Sequence, residues 1–140
     1  MGEKSSLEAR FPAEFGQPAG MSREQYNYAV AKALYEVRQE AADVEVKRLP
    51  TAQVDLKTDK ELDEFVGQLD AVYERHRVGE ARELLKVAED GLIDWAEGSM
   101  REKYGKRFEQ VAVAFTRGRE ARPELRGRLV DLCFRWREGE

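Results

Sequence analysis

The sequence predicts an all-α fold, a single-domain bundle of about five helices, on three observations. Apolar residues recur at three- and four-residue spacing along most of the chain. Ser or Thr stands three residues before Glu or Gln at three candidate helix starts, the pattern of a capping box. A 140-residue chain with 41% hydrophobic and 37% charged residues has a globular composition and enough length for one core.

Residues 1–20 contain Gly2, Pro12, Gly16, Pro18 and Gly20 without a helical period, so they read as a flexible N-terminal arm ahead of a helical domain at 21–140. Phe11 and Phe15 interrupt the arm, either to fold back onto the body or to insert into a partner. Ser22 with Gln25 then opens the first helix, whose stripe is Tyr26, Val30, Ala33, Leu34, Val37, Ala41 and Val44. Between 44 and 57 apolar and polar residues alternate around Pro50-Thr51. A small β-hairpin there competes with a helix that overruns to Arg48 followed by an extended linker, and the linker is favoured because two isolated strands are marginal.

Thr58 with Glu61 opens a second helix through Leu62, Phe65, Val66, Leu69, Val72 and Tyr73, with Gly79 as its expected end. Ala81, Leu84, Leu85, Ala88, Leu92 and Trp95 mark a third, closed near Gly98. Ser99 with Glu102 opens a fourth, with a seam of Tyr104, Phe108, Val111 and Phe115 and Gly118 as its cap. The last begins near Pro123 and spaces Leu125, Leu129, Leu132 and Trp136 the same way. That spacing leaves Val130 and Phe134 on the opposite face, where the N-terminal helix, a second copy or a foreign partner must cover them.

Charge is divided along the chain. Residues 1–100 carry 21 acidic and 13 basic side chains, whereas residues 101–140 carry 11 basic and 7 acidic. Screening limits the field at a surface to charges within about 8–10 Å, so the last forty residues can attract an anionic partner although the whole chain is at −4. Rotation at about 100° per residue sets Lys103, Lys106, Gln110 and Arg117 on one outward stripe of the fourth helix. On the last helix it sets Arg128 and Arg135 on one flank of the seam and Arg126 and Arg137 on the other.

These features point to a non-enzymatic adaptor or regulator that binds an acidic surface of a larger protein or nucleoprotein complex. The expected contact residues are Lys106, Arg117, Arg126, Arg128 and Arg135, with Phe134, Phe11 and Phe15 as apolar anchors. The first alternative is a subunit of a ribonucleoprotein or DNA complex that uses the same cations on backbone phosphates, although no nucleic-acid-binding signature accompanies them. A homo-oligomer would also cover Phe134.

A second alternative is a Mg²⁺-dependent all-α nucleotide pyrophosphohydrolase. The i, i+3 carboxylate pairs Glu40/Asp43, Glu61/Glu64 and Glu80/Glu83 loosely resemble the acidic pairs of that family, which implies divalent-metal binding. Each pair lies beside its apolar stripe and not within it, so no metal, cofactor or catalytic residue is expected. His76, the one histidine, reads as a partly buried cap near a helix C-terminus, and Cys133 as a buried thiol. No apolar run approaches the roughly 18 residues of a membrane span, no secretory signal leads the chain, and one cysteine forms no internal disulfide. A cytoplasmic protein without a membrane partner is expected. Met1-Gly2 through Ser6 fits the myristoylation pattern, but one acyl chain without a neighbouring basic cluster anchors only marginally.

Overall fold

A computed structural model describes residues 20–49, 58–120 and 122–137. The arm at 1–19, with Phe11 and Phe15, and positions 50–57 lie outside the described residues. Among the described residues the chain is helical and holds no strand. No helix there is long and apolar enough to cross a membrane.

Helix α1, Arg23–Lys47, opens on the expected capping box. Ser22 Oγ accepts the Gln25 N–H at 3.1 Å, and Gln25 Oε1 accepts the Ser22 N–H at 2.8 Å. Val44 through Lys47 form its last turn, so the first strand of the hairpin weighed over 44–57 is not there, and the helix runs on toward Arg48 as the favoured reading has it. Ala42 and Val46 stand one helical turn apart and pack with Val72 and Val78.

Helix α2, Asp59–Arg75, is capped by Thr58, whose Oγ1 accepts the Glu61 N–H at 3.1 Å. It does not run to Gly79. Val72 and Val78 are both buried and lie six residues apart, so the chain must reverse between them. His76 is the C-cap, and Arg77 takes the left-handed turn at φ 57°. Gly79 is inside the next helix.

That helix, α3, Val78–Tyr104, passes Gly98 and Ser99 without a break, so the third capping box is not a cap. Ile93, Ala96 and Met100 are at most 3% exposed and continue one buried stripe across Gly98. Interrupting the stripe would cost more than the roughly 1 kcal/mol of a glycine in a helix. The break falls at Gly105, φ 56°, which starts a 3₁₀ turn over Gly105–Phe108 and leads directly into α4, Glu109–Gly118. Helix α5 is Pro123–Arg135, with proline in its first turn. The expected third and fourth helices therefore divide at Gly105 and not at Gly98, and are joined through the 3₁₀ turn with no non-helical residue between them. With that joined pair counted as one, the described residues hold four helical segments in place of about five.

The helical region groups into two compact units. In the first, residues 30–49 and 58–85, Ala42, Val72 and Val78 form a small core with Tyr35, Val46, Leu49 and Tyr73 packed against it. Tyr73 Oη donates to Asp43 Oδ1 at 2.8 Å, and His76 meets Glu45 at 3.2 Å, a capping and pairing role of the kind expected for it. In the second, residues 20–29, 86–120 and 122–137, the core includes Tyr28, Leu92, Ile93, Met100, Phe108, Phe115, Leu129, Val130 and Cys133. Phe108 and Phe115 meet at 5.6 Å between ring centroids.

Helices α4 and α5 approach closely at one glycine. A Cβ on Gly118 would lie 2.6 Å from Leu129 Cβ, so the small residue here makes room for a neighbour, and Arg119 supplies the C-cap in its place.

Candidate partner-binding surface

The buried face of α5 is Leu129, Val130 and Cys133, while Leu132, expected in the seam, is 39% exposed. The face has rotated because its neighbours do more than fill one groove. Tyr28 of α1 covers Phe134 with ring centroids 5.3 Å apart. Gln25, 1% exposed, sends Nε2 to the carbonyl oxygens of Cys133, Phe134 and Trp136 at 3.3, 3.0 and 2.6 Å. One side chain thus closes the N-terminus of α1 and shares the carbonyls at the end of α5 with Arg137, whose Nη1 donates to Phe134 and Trp136 at 2.9 and 3.0 Å. Trp136 Nε1 donates to Ser99 Oγ at 2.8 Å, which gives that serine a function other than capping. Phe134 is accordingly half-buried by α1, the first of the three covers anticipated for it.

The cations divide into two sets. Arg126 reaches Asp90 at 2.7 Å and Glu89 at 3.4 Å, and Arg119 reaches Asp94 at 2.8 Å and Glu97 at 3.0 Å. The hydrogen bond from Arg119 pulls the Glu97 carboxyl below its ordinary range against the opposing effect of burial, and the bond to Asp90 raises the Arg126 guanidinium. Arg126, expected as a contact residue, is therefore engaged within its own unit. Several more cations lie over aromatic rings: Arg101 over Phe108 at 4.4 Å, Lys103 over Trp136 at 4.9 Å and Arg107 over Tyr104 at 5.8 Å.

The second set is exposed: Lys106 in the 3₁₀ turn, Arg117 at the end of α4, and Arg128 and Arg135 on α5. None forms an ion pair with another described residue, although Arg135 Nε bonds its own helix at the Asp131 carbonyl, 3.3 Å away. The stripe expected from Lys103 through Arg117 is not continuous. Gly105 and the 3₁₀ turn change the rotation per residue, and Lys103 turns to Trp136 instead. On α5 the order is kept: Arg128, Leu132 and Arg135, at i, i+4 and i+7, share one exposed strip. On α4, Val113, 55% exposed, stands one turn before Arg117. Composition and charge pointed to the arginines, but no sequence signal distinguished Leu132 from its buried seam-mates.

The carboxylate pairs considered for metal binding have other engagements. Glu61 accepts the Thr58 hydroxyl at 3.2 Å, Asp43 holds Tyr73 and Gln39, and Glu80 holds Arg77. Among the described residues, no three His, Cys, Asp or Glu side chains are grouped so as to bind a metal ion. Cys133 is fully buried, and desolvation pushes its thiol up to about 12. No protein-family model, curated protein or solved structure matches the chain.

Proposed function

We propose that this protein is a non-enzymatic helical adaptor that docks on an acidic surface of a larger protein or nucleoprotein complex through its C-terminal helices. The observation that carries the reading is the exposed Arg128–Leu132–Arg135 strip of α5, cationic at both ends and apolar between. Arg117 with Val113 on α4, and Lys106, supply further charge and apolar area. An arginine beside an apolar anchor is a composition that interfaces favour, with the charge steering encounter and the desolvated carbon supplying affinity. Phe134, covered by Tyr28, holds the strip in place and does not serve as its anchor.

The test compares the tagged wild-type protein with Arg128→Glu plus Arg135→Glu and with Leu132→Ser, each used to recover partners from lysate that are then identified by mass spectrometry. The expected result is an acidic partner lost with both variants and retained with Lys60→Glu, a charge change elsewhere. Recovery of the same partner by all forms would end the proposal. An electrophoretic shift of single strands or duplex at low salt, abolished by the double arginine variant, would move the reading to backbone-phosphate binding.

A further inference from the structure

The first unit carries a surface of opposite sign. Helix α2 contains six acidic and two basic residues, and of its apolar stripe only Val72 is buried. Leu62 is 46% and Val66 52% exposed, while Phe65 and Leu69 are half-covered. Rotation at about 100° per residue explains the difference. Val72 and Phe65 lie on the side facing the core, Leu69 at its margin, and Leu62 and Val66 beyond it. Continuing round the helix over roughly the next 80°, the side chains are Asp59, Asp70, Asp63 and Glu74. All four are exposed, and none forms an ion pair with another described residue.

The strip leads into an open cleft of about 710 Å³ at the α2–α3 turn, lined in part by Asp70, Tyr73, Glu74, Arg77 and Glu80. Neither arginine of the cleft pairs with the strip: Arg77 is held in a two-pronged bond by Glu80 at 2.8 and 2.9 Å, and Arg82 Nη2 donates to Tyr35 Oη at 3.4 Å. The carboxylates left facing solvent at this end are Asp70 and Glu74.

From this arrangement we infer that the outer edge of α2 is a docking site for a basic amphipathic helix of another protein. Leu62, Val66 and Leu69 would receive apolar side chains at three- and four-residue spacing, and Asp59, Asp63, Asp70 and Glu74 would pair with a flanking row of Lys or Arg. Charge and apolar area decide among the occupants. A second copy presenting the same helix would set two acidic rows against each other, and one presenting α5 would offer a single exposed leucine between two arginines to an edge of three apolar side chains, whereas a lysine-flanked helix removes the repulsion and covers the whole apolar edge at once. The protein would then hold two partners, one on the acidic edge of α2 and one on the cationic strip of α5.

The experiment uses the full chain and two labelled synthetic peptides of about 18 residues, each with leucines at helical spacing, flanked by lysine in one and by glutamate in the other. Fluorescence anisotropy is expected to show binding of the lysine peptide alone. Leu62→Ser plus Val66→Ser should weaken it at least about tenfold with an unchanged circular-dichroism spectrum, because both side chains are already largely exposed. Asp63→Asn plus Asp70→Asn should weaken it and reduce its dependence on salt. Failure of the lysine peptide to bind, equal binding of the glutamate peptide, or undiminished binding to the serine variant would each overturn the inference. So would a dimer of the free protein that Leu62→Ser dissociates. None of these outcomes depends on α5, so the two docking proposals stand or fall separately.

Discussion

Gln25 shows how much one side chain can be asked to hold. Its amide accepts the Ser22 N–H and donates to the three carbonyls that end α5, all at a site closed to water. Gln25→Leu keeps the volume and removes every side-chain bond, leaving the Ser22 N–H without its acceptor and the three carbonyls to the Trp136 N–H and the Arg137 guanidinium alone. A loss of about 1–2 kcal/mol is expected, read as a lower urea midpoint at unchanged slope. Cys133 lies against the same helix end. Because its thiol is shifted from 9.0 up to about 12, the native protein resists ionisation while the unfolded chain does not. The contribution to stability is complete below pH 9 and declines as pH rises from there toward 12. Iodoacetamide at pH 8 should therefore leave the native thiol intact and label it only in denaturant.

Among the elements, α4 and α5 depend on the absence of a side chain at Gly118. Gly118→Ala forces a methyl group onto Leu129 and should cost about 1–3 kcal/mol. Leu129→Ala destabilises by itself through the cavity it leaves. Alanine at 129 removes the Cγ and Cδ2 contacts but keeps the Cβ 2.6 Å from the added methyl group, so the loss in the double variant should fall only partly short of the sum of the two, a coupling that equilibrium unfolding of the four proteins measures directly. The ties between α3 and its neighbours are electrostatic. Arg119 holds Glu97 below its ordinary value of 4.5, so the stabilisation is present above that pH and is lost as pH falls through the depressed value. Arg119→Ala should lower stability at neutral pH and converge on wild type as pH falls below 4.5, which flattens the acid limb of the stability–pH profile.

For the whole molecule, cations that stabilise and cations proposed to bind are different residues. Arg128→Glu plus Arg135→Glu alters exposed positions without ion-pair partners among the described residues, so the unfolding free energy from urea titration should stay within about 0.5 kcal/mol of wild type. Arg126→Ala, which strands Glu89 and Asp90, should lower it. A chain at net −4 can present a cationic strip because its carboxylates neutralise the inner arginines and leave the outer ones to solvent.

Local chemistry was readable residue by residue. The caps at Ser22 and Thr58, the proline start of α5 and the helical class all follow from interactions within three or four residues. Where a local rule competed with a continuing buried stripe, packing prevailed. Gly98 and Ser99 read as a helix boundary, yet α3 runs through them since Ile93, Ala96 and Met100 need one uninterrupted face. Which flank of α5 meets water was equally undecided in the primary structure, because Leu129 and Leu132 are the same side chain at equivalent spacing. Burial of one and exposure of the other depend on Tyr28, Gln25 and Gly118, partners distant in the chain whose positions only the folded molecule brings to bear.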